Sequence, residues 1–299
     1  MKSRYFLAIF SLALSLIFSA PSFALGPVWK VTSGDNSGHY LFIGGTIHLL
    51  EQQDYPLPRV FERGYNKAHT LVFEIDPDIV KSPKAQQLFA QYSTYRNGQT
   101  LDNVLDKETY IDLNNFLAVR GIPIESFRSI KPSMLSVMLT IIELQRLGLA
   151  GMGVDEFYNQ KAKRDDKPRY SLETLEDQFN AMLAMGKGQE NQIIRHTLKE
   201  LERLSAVMEK TKAAWRKGDN KALIDVALTP WAEQFPSLYT ALLVERNQRW
   251  LPKIEDFIRS PEVEYILVGA LHLAGPDSVL AMLKAKGYRV QQLTEASPP

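Results

Sequence analysis

Apolar positions cluster in two ways along this chain. Short unbroken runs bounded by glycine read as buried strands. Longer stretches with apolar residues every three or four positions read as helices. Val28 to Thr32 alternates apolar and polar residues and predicts a strand. Ser33 to Gly38 is rich in turn formers, and His39 to Ile43 returns as the hairpin partner, with His39 on its polar face. Gly44 and Gly45 then cut the apolar run, and His48 follows at once. Near the other end the pattern recurs as Tyr265 to Val268, then Gly269-Ala270-Leu271-His272. Each copy leads into a helix and a further strand. These are Leu57 to Ala68 then Thr70 to Ile75, and a helix after Pro276 then Tyr288 to Leu293. The pattern predicts an α/β (α+β) fold: a mixed β-sheet core made from two pseudo-repeated β-loop-α-β units.

Between the units, residues about 78–260 read as a large helical insert. Asp102 to Arg120 is one predicted helix, closed by the turn Gly121-Ile122-Pro123. Ser133 to Leu147 is apolar on most sides, which predicts a buried helix. Asp155 stands where an N-cap is expected for the helix Glu156 to Lys163. Lys167 to Leu172 predicts a short strand, and Glu173 opens the acidic first turn of the next helix. Gln189 to Lys217 reads as one long amphipathic helix with His196 exposed on it. Ser237 to Trp250 is helical and runs on past Pro252.

Composition narrows the class. The chain has 299 residues, 45% of them hydrophobic, so it can bury a sizeable core. A net charge of +1 gives no electrostatic footprint for nucleic acid. There is no cysteine, which excludes disulfides, thiolate ligands and a lipidated N-terminal cysteine. Lys2 and Arg4 precede an apolar stretch from Tyr5 to Phe18, and Pro21-Ser22-Phe23-Ala24 offers a small-x-small cleavage site. Residues 1–24 are therefore expected to be a signal peptide. Residues 25–299 are expected to form a single exported, periplasmic domain with no stable membrane span after signal removal.

The candidate chemistry lies at strand ends, where ligands sit in open α/β sheets. Gly45 and Gly269 each precede a histidine by three positions, giving His48 and His272 matched contexts. Glu74 lies inside the apolar run Leu71 to Ile75, a costly place for a carboxylate unless it is paired or bound to a metal. Its alternative is a side chain turned outward by strand alternation. Two imidazoles and one carboxylate form a recognised divalent-metal set, suited to Zn, Mn, Co or Fe. No His-Glu-x-x-His helix and no Gly-x-Ser-x-Gly elbow is present. Glu74 is then either a ligand or a general base. Arg246 has two readings, an anion-stabilising group in the site or a salt bridge on a helix surface. Asp155 and Glu173 read either as helix caps or as supports for the site.

The ordered set of motifs resembles the TraB/GumN family, which includes Tiki-like and GumN-like proteins. Its carriers are Gly45-Thr46-Ile47-His48, Phe73-Glu74, Gly153-Val154-Asp155, Leu172-Glu173-Thr174, Arg246-Asn247 and Val268-Gly269-Ala270-Leu271-His272-Leu273. The resemblance covers nearly the whole chain after residue 24. It implies that His48, His272 and Glu74 form the active centre, with Asp155, Glu173 and Asn247 as candidate supports. It further implies a metal-dependent peptidase acting on a peptide or protein, with Mn or Co favoured. The family is distantly similar to haem-binding ChaN-like proteins, which sets the competing expectation of a non-catalytic haem- or metal-binding protein. A third is a regulatory factor that keeps the fold without turnover.

The N-terminal pattern carries its own test. Sequencing the N-terminus of the protein recovered from its native cell should find Leu25 first. Met1 intact on a soluble cytosolic protein would refute export.

Overall fold

The computed structural model describes residues 25–35 and 37–294. The predicted signal peptide lies outside the described residues. Six strands form one mixed sheet: β1 (Leu25–Thr32), β2 (Tyr40–Thr46), β3 (Thr70–Phe73), β4 (Arg169–Ser171), β5 (Glu264–Gly269) and β6 (Arg289–Thr294). Their order across the sheet is β4-β3-β5-β2-β1-β6. β1 and β2 form the expected antiparallel hairpin, with Trp29 opposite Ile43. β2 and β5, the two strands that carry the Gly-x-x-His turns, are direct parallel neighbours, with Ile43 opposite Ile266. β5 also pairs in parallel with β3, and β3 with β4.

The two units step away from that central pair in opposite directions. From β2 the chain passes through the helix Val60–Lys67 and returns as β3 on the far side of β5. From β5 it passes through the helix Val279–Ala285 and returns as β6, beyond both β2 and β1. Crossovers of one hand that step in opposite directions must lie on opposite faces of a sheet. The core obeys this. Val60, Phe61 and Tyr65 pack with Phe42, Leu71, Phe73, Tyr265 and Leu267 on one face. Val279, Leu280 and Leu283 pack with Leu41, Ile43, Val72, Ile266 and Val268 on the other, together with Trp250, Ile254 and Ile258. β1 departs from two-fold symmetry. It pairs antiparallel with β2 and pushes β6 one position outward. The point where the crossovers diverge, between β2 and β5, is where such sheets leave a crevice at the strand ends.

Helices fill the long interval between β3 and β5, and two of their predicted spans are broken. Asp102 to Arg120 divides into Leu101–Val104 and Lys107–Ala118, because Asp106 caps the second with its side chain on the Thr109 amide. Gln189 to Lys217 divides into Glu190–Leu201 and Leu204–Arg216. His196 is half-buried against Phe235, with ring centroids 3.9 Å apart, rather than exposed. No helix among the described residues is long and apolar enough to cross a membrane.

One contact links the helices to the sheet where the first histidine loop begins. The Trp215 indole is buried beside Phe61, and its Nε1 donates to the Gly45 carbonyl at 2.6 Å. Trp215→Phe removes that donor and leaves the carbonyl short of a partner. The expected cost is about 1–3 kcal/mol, read from the midpoint of urea unfolding. An unchanged midpoint would mean that this hydrogen bond does not hold the strand end.

Candidate metal centre

Four adjacent parallel strands each deliver one chemical group at their C-terminal ends. His48 lies in the loop after β2, and His272 in the single 3-10 turn Ala270–Leu273 after β5. Glu74 directly follows β3, and Glu173 follows β4 after one residue. The Glu173 amide donates to the Glu74 carbonyl at 3.0 Å, so the β3–β4 pairing carries on to both glutamates.

Glu74 is buried and points inward. Its Oε1 accepts from the Gly269 amide at 2.7 Å, and its Oε2 accepts from Arg246 Nη2 at 2.6 Å. His272 Nε2 lies 3.8 Å from Glu74 Oε1. A Cβ placed on Gly269 would sit 3.3 Å from Glu74 Oε1, 3.6 Å from His272 Cδ2 and 3.7 Å from His48 Nε2. His48, Glu74 and His272 therefore surround one point, and glycine at 269 leaves room for them. Gly45 serves the same approach from β2, since a Cβ there would press to 3.2 Å on the Ala270 Cα.

Both imidazoles are fixed through Nδ1. His48 Nδ1 lies 2.8 Å from Asp155 Oδ2, and Thr46 Oγ1 donates to the other Asp155 oxygen at 2.9 Å. His272 Nδ1 donates to Asn247 Oδ1 at 2.6 Å, and Asn247 Nδ2 donates to the Asp277 carbonyl at 2.8 Å. Nε2 is thus the inward-facing nitrogen on both rings. Tying the distal ring nitrogen to an oxygen is how metal-binding histidines are oriented. The two rings differ in charge. Burial pushes His272 down to about 3, so it is neutral near pH 7. Asp155, with Glu74 behind it, favours protonated His48 and holds it above the usual imidazole range. The His48 ring is 62% exposed, so water softens that pull.

Arg246 is buried, not on a helix surface. Its Nε and Nη2 grip both oxygens of Glu173, at 3.1 and 2.6 Å. Its Nη1 contacts His272 Nε2 at 3.1 Å and the Leu242 carbonyl at 3.2 Å. Burial opposes the charge on Glu74, but Arg246, His272 and His48 outweigh it and hold that carboxyl below its usual range. For Glu173, burial prevails over Arg246 and the shift is upward.

Arg246 and Asn247 open the helix Glu245–Arg259, directly after a π-helical turn at Thr240–Val244. Such turns are frequent at functional sites. Capping does not describe Asp155 or Glu173. The cap of the helix Val154–Arg164 is Gly153, and Thr174 caps the helix that follows Glu173. Sequence reasoning also missed Thr46 and Trp250. The Trp250 indole donates to Glu173 Oε2 at 3.1 Å and lies against both His272 and Arg246. The spacing of Arg246 and Trp250, one helical turn apart, carried that signal.

The donor types, two imidazoles and a carboxylate, suit a divalent cation. Among the described residues, no three His, Asp or Glu side chains are drawn close enough to hold an ion as they stand. Arg246 occupies the space beside His272 Nε2. Ligation by His272 Nε2 requires Arg246 Nη1 to give up that contact. Two cavities lie elsewhere, in the helical part.

The TraB/PrgY/gumN family model matches residues 27–292. The chain is 24% identical over 311 aligned positions to a Danio rerio protein named metalloprotease TIKI2. That alignment covers 87% of this chain and 59% of the relative, so the chain spans about three-fifths of that protein's length. No solved structure matches.

The loop that carries His48 depends on Gly153. A Cβ at that position would lie 2.0 Å from the His48 carbonyl oxygen and 2.7 Å from its Cα. These are backbone atoms and cannot turn aside. Gly153→Ala is expected to displace His48 from Asp155 and cost about 1–3 kcal/mol. The checks are the His48 imidazole resonances and the unfolding midpoint. Unchanged resonances with unchanged stability would contradict the packing described.

Proposed function

This chain belongs to the TraB/PrgY/gumN family, and from that membership and the strand-end geometry we propose that it is an exported metal-dependent hydrolase, a peptidase in reaction type. The observation that carries the reading is the matched pair of imidazoles. Each has its Nδ1 tied to a side-chain oxygen, and each turns Nε2 towards Glu74. The likeness to a metalloprotease supports the reaction class. Export is supported by the basic and apolar pattern of residues 1–24.

His48, Glu74 and His272 are the residues that would hold the ion. Three carboxylates, Glu74, Glu173 and Asp155, face Arg246 and the protonated His48, and a bound cation would take the place of the His48 proton. A bound divalent ion would supply Lewis-acid polarisation of a scissile carbonyl. The chain's own residues do the positioning. Asp155 and Asn247 set the ring orientations. Glu173 holds Arg246 against Glu74, so the strand-end carboxylate stays ionised at neutral pH. Exposed His48 marks the side from which a peptide enters, while Trp250 closes the inner side behind His272. Mn and Co are the ions proposed first, with Zn and Fe as alternatives.

The test uses the mature protein stripped with a chelator and offered a peptide library. Cleavage is expected only after Mn or Co is restored. His48→Ala and His272→Ala should abolish cleavage and metal uptake while leaving far-UV circular dichroism unchanged. Glu74→Gln should lose turnover more than it loses stability. Asp155→Asn should weaken metal affinity about 10–100-fold. A double histidine variant that binds metal and cleaves like the parent would end this reading. A Soret band on adding haem, with no cleavage under any metal, would favour a haem-binding protein instead.

A further inference from the structure

A second polar concavity lies in the helical part, outside the strand-end centre. Two adjoining cavities of about 390 and 340 Å³ share Tyr95 and Lys131. Arg96 lines one of them, and Ser133, Lys187 and Glu190 line the other. They form where the helix Pro83–Ser93 ends and the helix Pro132–Arg146 begins.

The start of that second helix is unusual. Its N-cap is Lys131, no side chain caps its first-turn amides, and no acidic residue lies in its first turn. Ser, Thr, Asp and Asn are the favoured caps, and a cation at the positive end of a 15-residue helix is unfavourable. Lys131 is half-buried, and its Nζ donates to the Tyr92 carbonyl at 2.8 Å. Burial and the nearby Arg96 both push its pKa down. Lys167, also half-buried, likewise meets backbone carbonyls, but several other shielded cations are matched with carboxylates. Lys212 meets Glu51 and Asp54, Arg120 meets Glu143, and Arg169 meets Asp78. Lys131 has no carboxylate partner among the described residues.

Ser133 is an independent sign of a ligand. It is only 7% exposed and lines the cavity, and its hydroxyl makes no hydrogen bond to any described residue. Glu190 is the acid on the lining, and its Oε1 already accepts from the Gly188 amide at 3.0 Å. Lys131, shared by the two cavities, thus stands between Arg96 on the lining of one and the free Ser133 hydroxyl and uncapped helix start on the lining of the other. That combination is how proteins bind oxyanions.

We propose that this cleft binds an oxyanion of carboxylate or phosphate type, gripped by Lys131, Arg96 and the Ser133 hydroxyl and amide. The group comes either from a free anion or from an acidic peptide side chain. Titration calorimetry on the mature protein, at constant ionic strength, separates the two. Inorganic phosphate is the first probe and a hexaglutamate peptide the second. Saturable binding of phosphate identifies a free-anion site. Binding of the peptide, displaced by phosphate only at high excess, identifies an acidic-chain site. In either case Arg96→Gln and Ser133→Ala should each weaken binding about tenfold. Arg96 is exposed and Ser133→Ala removes one atom, so neither change threatens the fold. Glu74→Gln, at the strand-end centre, should leave this binding unchanged. Binding of neither probe, or equal binding in both cleft variants, overturns the proposal.

Discussion

The buried guanidinium of Arg246 ties together pieces of chain that are far apart in sequence. It grips both oxygens of Glu173 at the end of β4, one oxygen of Glu74 at the end of β3, and the imidazole of His272 in the turn after β5. Neither glutamate would be tolerable at that depth without it, because an unpaired buried charge is strongly destabilising. Arg246 is also held by the π-helical turn that precedes it, where the Leu242 carbonyl accepts a hydrogen bond from its Nη1. The sheet therefore supplies the acids, and one helix supplies the guanidinium that pairs with both and keeps Glu74 ionised.

Around this ion network the two histidines occupy unlike settings. His272 is sealed beneath Trp250 and oriented by a neutral amide, so it stays uncharged. His48 sits at the solvent boundary and is oriented by a carboxylate. Burial drives the difference. A carboxylate beside the inner ring would add another charge to a region already holding Glu74 and Glu173, whereas at the boundary water shares the cost of Asp155. The pseudo-twofold relation of the two turns thus holds for the strands they follow and breaks in the turns and in the side chains that support them.

The placement of these groups follows from topology. Crossovers diverging from the β2–β5 pair leave the ends of four parallel strands facing one crevice. A helix on one face brings Arg246, Asn247 and Trp250 to it, and the loop at Gly153 brings Asp155 from the other side. The loop can do so because it lacks a side chain where it crosses the His48 backbone.

Much of this was written in local sequence. Apolar runs ended by glycine marked β2 and β5, because a buried strand needs a continuous apolar segment and a sharp exit. The repeat of Gly-x-x-His marked both strand-end turns, and the acid inside Leu71 to Ile75 marked Glu74, since only a paired carboxylate survives there. Tertiary structure alone decided that β5 lies between β2 and β3, because strand order depends on crossovers whose partners are about 200 residues distant. It also decided that Asp155 and Glu173 serve a histidine and an arginine rather than helix ends. An acid in a first helical turn satisfies the same local rule in either role. Which group it meets is fixed by contacts across the fold that no periodicity along the chain encodes.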